Sequence, residues 1–167
     1  VTALGEYHLH FGTTPAIASA LALGGFAVAW GVYGGGRDGS RFALKTFFNG
    51  GMGAGAHGHG ESALSWPSNV SSTPVEVIEQ QAPIRVLHRR IRRGSGGAGR
   101  HRGGDGLEQD HLLLAGGPYS IGFNAERTRA AAQGVLGGGE GACGAVRING
   151  EAVDIKNSPF ALKPGDV

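Results

Sequence analysis

Apolar residues crowd the first fifth of the chain and then recur only as short runs. Residues 11–36 carry no charged side chain. Within them, residues 16–33 are mostly Ala, Leu, Gly and Val, and about 18 such residues can span a bilayer. Gly24-Gly25 interrupts the run. Residues 16–23 have helix-forming composition, whereas residues 26–33, Phe-Ala-Val-Ala-Trp-Gly-Val-Tyr, favour a strand. No basic cluster flanks them. The pattern predicts a buried helix followed by a buried strand, not a membrane span.

After a turn at residues 34–39, residues 41–48 show period-2 character in their first half and predict a strand. Residues 49–60, Asn-Gly-Gly-Met-Gly-Ala-Gly-Ala-His-Gly-His-Gly, exclude regular structure. Residues 65–74 read as a loop. Thr73 as N-cap, Pro74 at the first helical position and Glu76 in the first turn predict a short helix over 74–81, ending before Pro83. Residues 84–91 predict a strand. Strict alternation puts Arg85, Leu87, Arg89 and Ile91 on one face and Ile84, Val86, His88 and Arg90 on the other. Residues 94–106 are again Gly and Arg, and residues 112–114 read as a short buried strand. Residues 125–133 have helical composition over a brief stretch. Asn149-Gly150 between apolar runs signals a type I′ hairpin within 145–155. Val167, following the turn Lys163-Pro-Gly-Asp, reads as the first residue of a strand, so the chain is expected to be part of a longer subunit.

Composition sharpens this picture. Glycine makes up 33 of 167 residues, about a fifth against a usual ~7%. There is no Gly-X-Y period, which excludes collagen. Interior glycine disfavours a helix bundle, and 40% hydrophobic content argues against a fully disordered chain. The expected fold is mainly β (a β-rich α+β chain), with several short strands, glycine-rich loops and a few short helices. The net charge of +2 says little about partners. The one cysteine, Cys143, forms no disulfide within the chain, so no oxidising compartment is required and a cytoplasmic location is expected.

Three segments could carry chemistry. In His57-Gly-His59-Gly-Glu61, two imidazoles and a carboxylate at alternate positions could converge on a metal or a substrate. No HExxH or CxxC accompanies them, so His57, His59 and Glu61 are candidate substrate contacts and no metal ligand is assigned. The stretch from Arg85 to Arg102 holds seven arginines. Its Arg/Gly spacing admits an RNA-binding module. However, no aromatic residue lies between Trp66 and Tyr119 on which a base could stack. Nucleic acid is therefore disfavoured, and Arg89 and Arg90 are expected to serve subunit contacts by pairing with acidic or backbone groups. Finally, residues 94–106 invite a phosphate-loop reading. They lack GxxxxGK[ST] and a following helix, so tight turns packed on other backbone are expected instead.

Several strings, in order, resemble the C-terminal part of the hydantoinase B/oxoprolinase family. They are Asn49-Gly-Gly-Met-Gly-Ala54, Pro67-Ser-Asn-Val70, Pro74-Val-Glu-Val-Ile-Glu79, Ser95-Gly-Gly-Ala-Gly-Arg100, Arg102-Gly-Gly-Asp-Gly106, Glu126-Arg-Thr-Arg129, Gly134-Val-Leu-Gly-Gly-Gly-Glu-Gly141 and Leu162-Lys-Pro-Gly-Asp-Val167. The resemblance covers residues 34–167; residues 1–33 form an apolar segment that matches poorly. It implies the C-terminal portion of a B-type subunit of an ATP-dependent cyclic-amide hydrolase, of the N-methylhydantoinase or 5-oxoprolinase kind. The alternative it implies is a subunit of an ATP-dependent ketone carboxylase. It also implies a hetero-oligomer in which a hydantoinase A-type partner uses ATP. The divalent metal would lie in the N-terminal half of the full subunit, so this chain alone is expected to bind no cofactor and to be inactive.

Overall fold

The computed structural model describes residues 28–35, 41–55, 57–64, 71–114, 118–124, 127–157 and 159–167. The helix expected over 16–23, residues 1–27 of the apolar segment 1–33, most of the turn at 34–39 and residues 65–70 of the loop lie outside them.

The apolar run 26–33 yields strand β1, Val28–Gly35, which pairs antiparallel with β2, Arg41–Phe48. The alternation seen in the first half of β2 continues through Phe47. Phe42, Leu44 and Thr46 turn inward, while Arg41, Ala43, Lys45 and Phe47 are exposed. Helix α1, Val75–Gln81, buries Ile78 completely. It is followed by β3, Ile84–Arg92, β4, Gly106–Leu113, and β5, Tyr119–Asn124. A hairpin of β6, Arg147–Ile148, and β7, Glu151–Ala152, then leads through a 3-10 turn, Ile155–Asn157, to β8, Phe160–Leu162. One sheet has the order β2-β1-β5-β8; β3 with β4 and β6 with β7 form two-stranded ribbons. The expected strand-dominated architecture with few helices is observed.

The core forms where the large sheet meets α1 and the near end of the β3–β4 ribbon. Leu44, Ile78, Ile84, Leu113, Tyr119 and Ile121 are buried together there. Tyr119 packs at 5.9 Å from the Phe42 ring. It fits because Gly34 lies opposite, where a Cβ would come within 2.8 Å of the Tyr119 ring.

Four local expectations are corrected. Pro74, not Thr73, occupies the cap of α1, and no side chain caps it; the Thr73 carbonyl instead accepts a hydrogen bond from Arg89. Residues 112–114 are not a separate strand: residues 112–113 end the longer β4. Residues 127–130 form bends and 131–133 are irregular, so no helix is present over 127–133. Arg127 sits at φ 58°, and its carbonyl and that of Ala132 accept from Gly144 and Gly141 rather than from the next helical turn. Last, β3 does not alternate strictly. A bulge between Val86 and His88 leaves Leu87 unpaired. One extra residue exchanges the faces of everything beyond it. Opposite residues share a face, so the pairs Ile84–Leu113, Val86–His111, Arg89–Gln109 and Ile91–Leu107 lie on one side. The pairs Arg85–Leu112, His88–Asp110 and Arg90–Glu108 lie on the other.

The Asn149-Gly150 turn forms as expected. Both residues have positive φ, 52° and 84°, which a type I′ turn requires. Among the described residues, no helix is long and apolar enough to cross a membrane.

Candidate functional site: stacked glycine-rich loops

Glycine at alternate positions removes the side chains that would hold backbones apart. Residues 49–64 and 94–106 use this to pack main chain on main chain. Met52 N–H donates to the Glu61 carbonyl, Gly104 N–H to Met52, and Gly60 N–H to Arg102, each at 2.8 Å. A Cβ on Gly104 would lie 1.9 Å from the Glu61 carbonyl oxygen, a separation no side chain can occupy. A third segment joins the stack where Gly139 N–H donates to Ala98 at 2.7 Å. The reading of these glycines as close backbone contacts holds.

Short polar side chains pin the stack. Ser62 Oγ accepts from Asp105 N–H at 2.9 Å, and Ser95 Oγ accepts from Gly106 N–H at 2.8 Å. Asp105 Oδ1 accepts from Gly96 N–H at 2.8 Å and from Arg102 at 3.0 Å. The Gly96 N–H foremost, with contributions from the Gly94 and Ser95 amides and Arg102, holds the Asp105 carboxyl below its ordinary range. The amide-lined concavity that invited a phosphate-loop reading is thus filled by the chain's own carboxylate. An anion there would have to displace Asp105.

His57, His59 and Glu61 do not form a group that could hold a metal ion among the described residues. All three are exposed. His59 turns instead to the second loop. Its Nδ1 accepts from Arg102 N–H at 2.8 Å, and its ring meets that of His101 edge-on, with centroids 5.6 Å apart. That hydrogen bond fixes the tautomer: Nδ1 supplies the lone pair, so Nε2 carries the proton. The outward edge of His59 is a hydrogen-bond donor, suited to a carbonyl or oxyanion and unsuited to a cation. Among the described residues, no three His, Cys, Asp or Glu side chains could hold a metal ion.

Three arginines of β3, Arg89, Arg90 and Arg92, are used within the chain. Arg89 Nε donates to Gln109 Oε1 at 2.9 Å, and its Nη1 donates to the Thr73 carbonyl at 2.8 Å. Arg90 pairs with Glu108, whose carboxyl is held below its usual range chiefly by that hydrogen bond. His88 lies 3.5 Å from Asp110, and Arg92 reaches the Cys143 carbonyl at 2.8 Å. Beside Arg89, burial and then the guanidinium charge push His111 down to about 4.

Sequence reasoning missed His101 and Asp105 as members of this site. His101 lies inside the arginine stretch 85–102, and Asp105 stands out only within Arg102-Gly-Gly-Asp-Gly106. An aspartate just after a glycine-rich loop was the available signal, since such a residue can fold back onto the loop's free amides.

The family model described as hydantoinase B/oxoprolinase matches residues 11–167. A 5-oxoprolinase of Dictyostelium discoideum is 33% identical over 115 residues, covering 65% of this chain and 9% of that protein. 5-Oxoprolinase 1 of Arabidopsis thaliana is 37% identical over 106 residues, covering 62% and 8%. A nucleotide-free structure of acetone carboxylase superposes with a TM-score of 0.61 at 24% identity, over 72% of this chain and 16% of that one. This likeness shows a shared fold. The chain spans only 6–13% of the length of the curated relatives it matches.

Proposed function

Because this chain belongs to the hydantoinase B/oxoprolinase family, we propose that it forms the C-terminal portion of a B-type subunit of an ATP-dependent cyclic-amide hydrolase. The family match over 11–167 carries this reading, and the two 5-oxoprolinases direct it toward a lactam substrate. In this proposal an A-type partner in a cytoplasmic hetero-oligomer uses ATP to activate the ring amide, and a divalent metal is held by parts of the subunit outside this chain. The stacked loops then act as a rigid frame beside the substrate. His59, fixed by Arg102, offers an Nε2 proton to a carbonyl or oxyanion, and exposed His57 and Glu61 flank it. Hydrogen-bond donors held in place before reaction lower the cost of developing negative charge.

The structural likeness to acetone carboxylase favours one alternative, a ketone-carboxylating assembly. Both readings are tested by one experiment. The chain, within its full-length subunit, is co-expressed with an A-type partner and assayed for ATP hydrolysis driven by 5-oxoproline or hydantoin, and separately by acetone with bicarbonate. Lactam-dependent turnover supports the proposal. Turnover with acetone and bicarbonate alone replaces it with the carboxylase reading, and no turnover with either overturns both. His59→Ala should then reduce lactam turnover while leaving co-purification with the partner intact.

A further inference from the structure

The bulge at Leu87 has a consequence for charge. It turns Arg89 onto the same face of the ribbon as Ile84 and Val86, where the side chain is half-buried. Two other arginines of the region meet carboxylates, Arg90 with Glu108 and Arg102 with Asp105, while Arg92 meets the Cys143 carbonyl. Among the described residues, Arg89 has no carboxylate partner. Its two acceptors are neutral, the Gln109 amide oxygen and the Thr73 carbonyl. Because Gln109 Oε1 is committed to Arg89, the amide nitrogen needs an acceptor of its own. That Nε2 is buried and has no acceptor among the described residues. A guanidinium has five N–H donors, so several remain beside an amide whose two are unused. Excess donors, positive charge and partial burial together call for one ligand type, a planar anion with several lone pairs. Ile91, two residues along β3 on the same face, is exposed.

We propose that Arg89 and Gln109 form a receptor for a carboxylate supplied from outside this chain. A carboxylate fits the guanidinium fork in two-pronged fashion and takes up charge that water leaves uncompensated. It comes either from a free carboxylic acid or from an acidic side chain of the partner subunit; the second source rests on the function proposed above.

Sodium acetate is the probe. Thermal unfolding of the chain is compared in sodium acetate and sodium chloride at equal ionic strength. Acetate should raise the wild-type Tm by a few degrees over chloride, because a ligand of the folded state stabilises it by mass action. Arg89→Gln should lose that difference. Gln109→Glu places a carboxylate against Arg89 within the chain, so it should raise Tm in chloride and remove the acetate response. Equal wild-type Tm in the two salts overturns the proposal, leaving a site filled by water. An acetate response that survives both substitutions overturns it as well. Binding to the A-type partner then distinguishes the sources. At least tenfold weaker association of Gln109→Glu identifies a partner side chain, and unchanged association identifies a free acid. If the wild type does not bind that partner, the functional reading fails while the acetate result stands.

Discussion

Asn149 clamps Asp166 from the tip of the β6–β7 hairpin: its Nδ2 donates to Asp166 Oδ1 at 2.9 Å. The same side chain accepts from Val167 N–H at 3.0 Å through Oδ1, and the Asn149 backbone N–H donates to the Val167 carbonyl at 2.7 Å. Asp166 in turn takes the Lys163 N–H, and its carbonyl takes Leu113 N–H, so the hairpin is fastened to β4 through one buried carboxylate. Asn149→Ala removes the clamp and puts a poorly suited residue at φ 52°. It should cost about 2–4 kcal/mol in urea unfolding.

The Asn149 hydrogen bond, followed by the Lys163 amide, holds the Asp166 carboxyl below its ordinary 3.8. A depressed carboxylate stabilises the fold above its unfolded value, and that stability is lost as pH falls through the folded value. Melting temperature should therefore drop as pH falls below about 4. The drop should be shallower in Asn149→Ala, because the largest cause of the depression is gone.

What could be read in advance followed from local rules. The pattern of residues 41–48, Pro74 and Pro83 around a short helix, and Asn149-Gly150 each fix a backbone outcome within a few residues, and each appears. The bulge at Leu87 could not be read, because neither face of residues 84–91 is uniformly apolar and an extra residue violates no pattern. Glycine content announced close backbone approach. It could not say that residue 104 meets residue 61, since glycines carry no side chains by which loops could be matched. His59 was found as a candidate but not its partners, because a ring held by the main-chain N–H of Arg102 leaves no trace in the spacing of side chains.

The loop stack should respond to one methyl group according to place. A Cβ at Gly104 would fall 1.9 Å from the Glu61 carbonyl oxygen, whereas at Gly58 nothing lies within 4 Å. Gly104→Ala should cost about 3 kcal/mol or more, since backbone on both sides must move. Gly58→Ala should be neutral or stabilise by up to about 1 kcal/mol through the unfolded chain. Equal effects in chemical denaturation would show that the loops do not pack as described.

Leu136 is set against both its backbone and its surroundings. It is 85% exposed and adopts φ 53°, followed by Gly137 at φ 83°, in a turn closed by Gly138 N–H to the Val135 carbonyl at 3.0 Å. A branched apolar residue in left-handed conformation costs about 1–2 kcal/mol, which asparagine tolerates better. Leu136→Asn should therefore stabilise the isolated chain by about 1 kcal/mol, measured by urea midpoint at unchanged m-value.

His111 should set the acid limit of stability before the carboxylates do. Its imidazole is pushed from 6.5 down to about 4, first by burial and then by the charge of Arg89. The unfolded chain therefore takes up this proton near pH 6.5 while the folded chain resists it until about pH 4. A histidine depressed in the folded state leaves stability intact above its unfolded value and withdraws it as pH falls toward the folded one. The shift corresponds to about 3 kcal/mol lost between pH 7 and pH 4. Asp105 and Asp166, held low, keep their charge through most of that window and lose it below, so the two effects separate. His111→Leu, on the same face as Val86 and the buried Leu113, should flatten the urea-unfolding free energy between pH 7 and pH 4 and leave the steeper fall below pH 4 in place. A wild-type profile already flat over that window would mean that His111 is not held neutral by its surroundings.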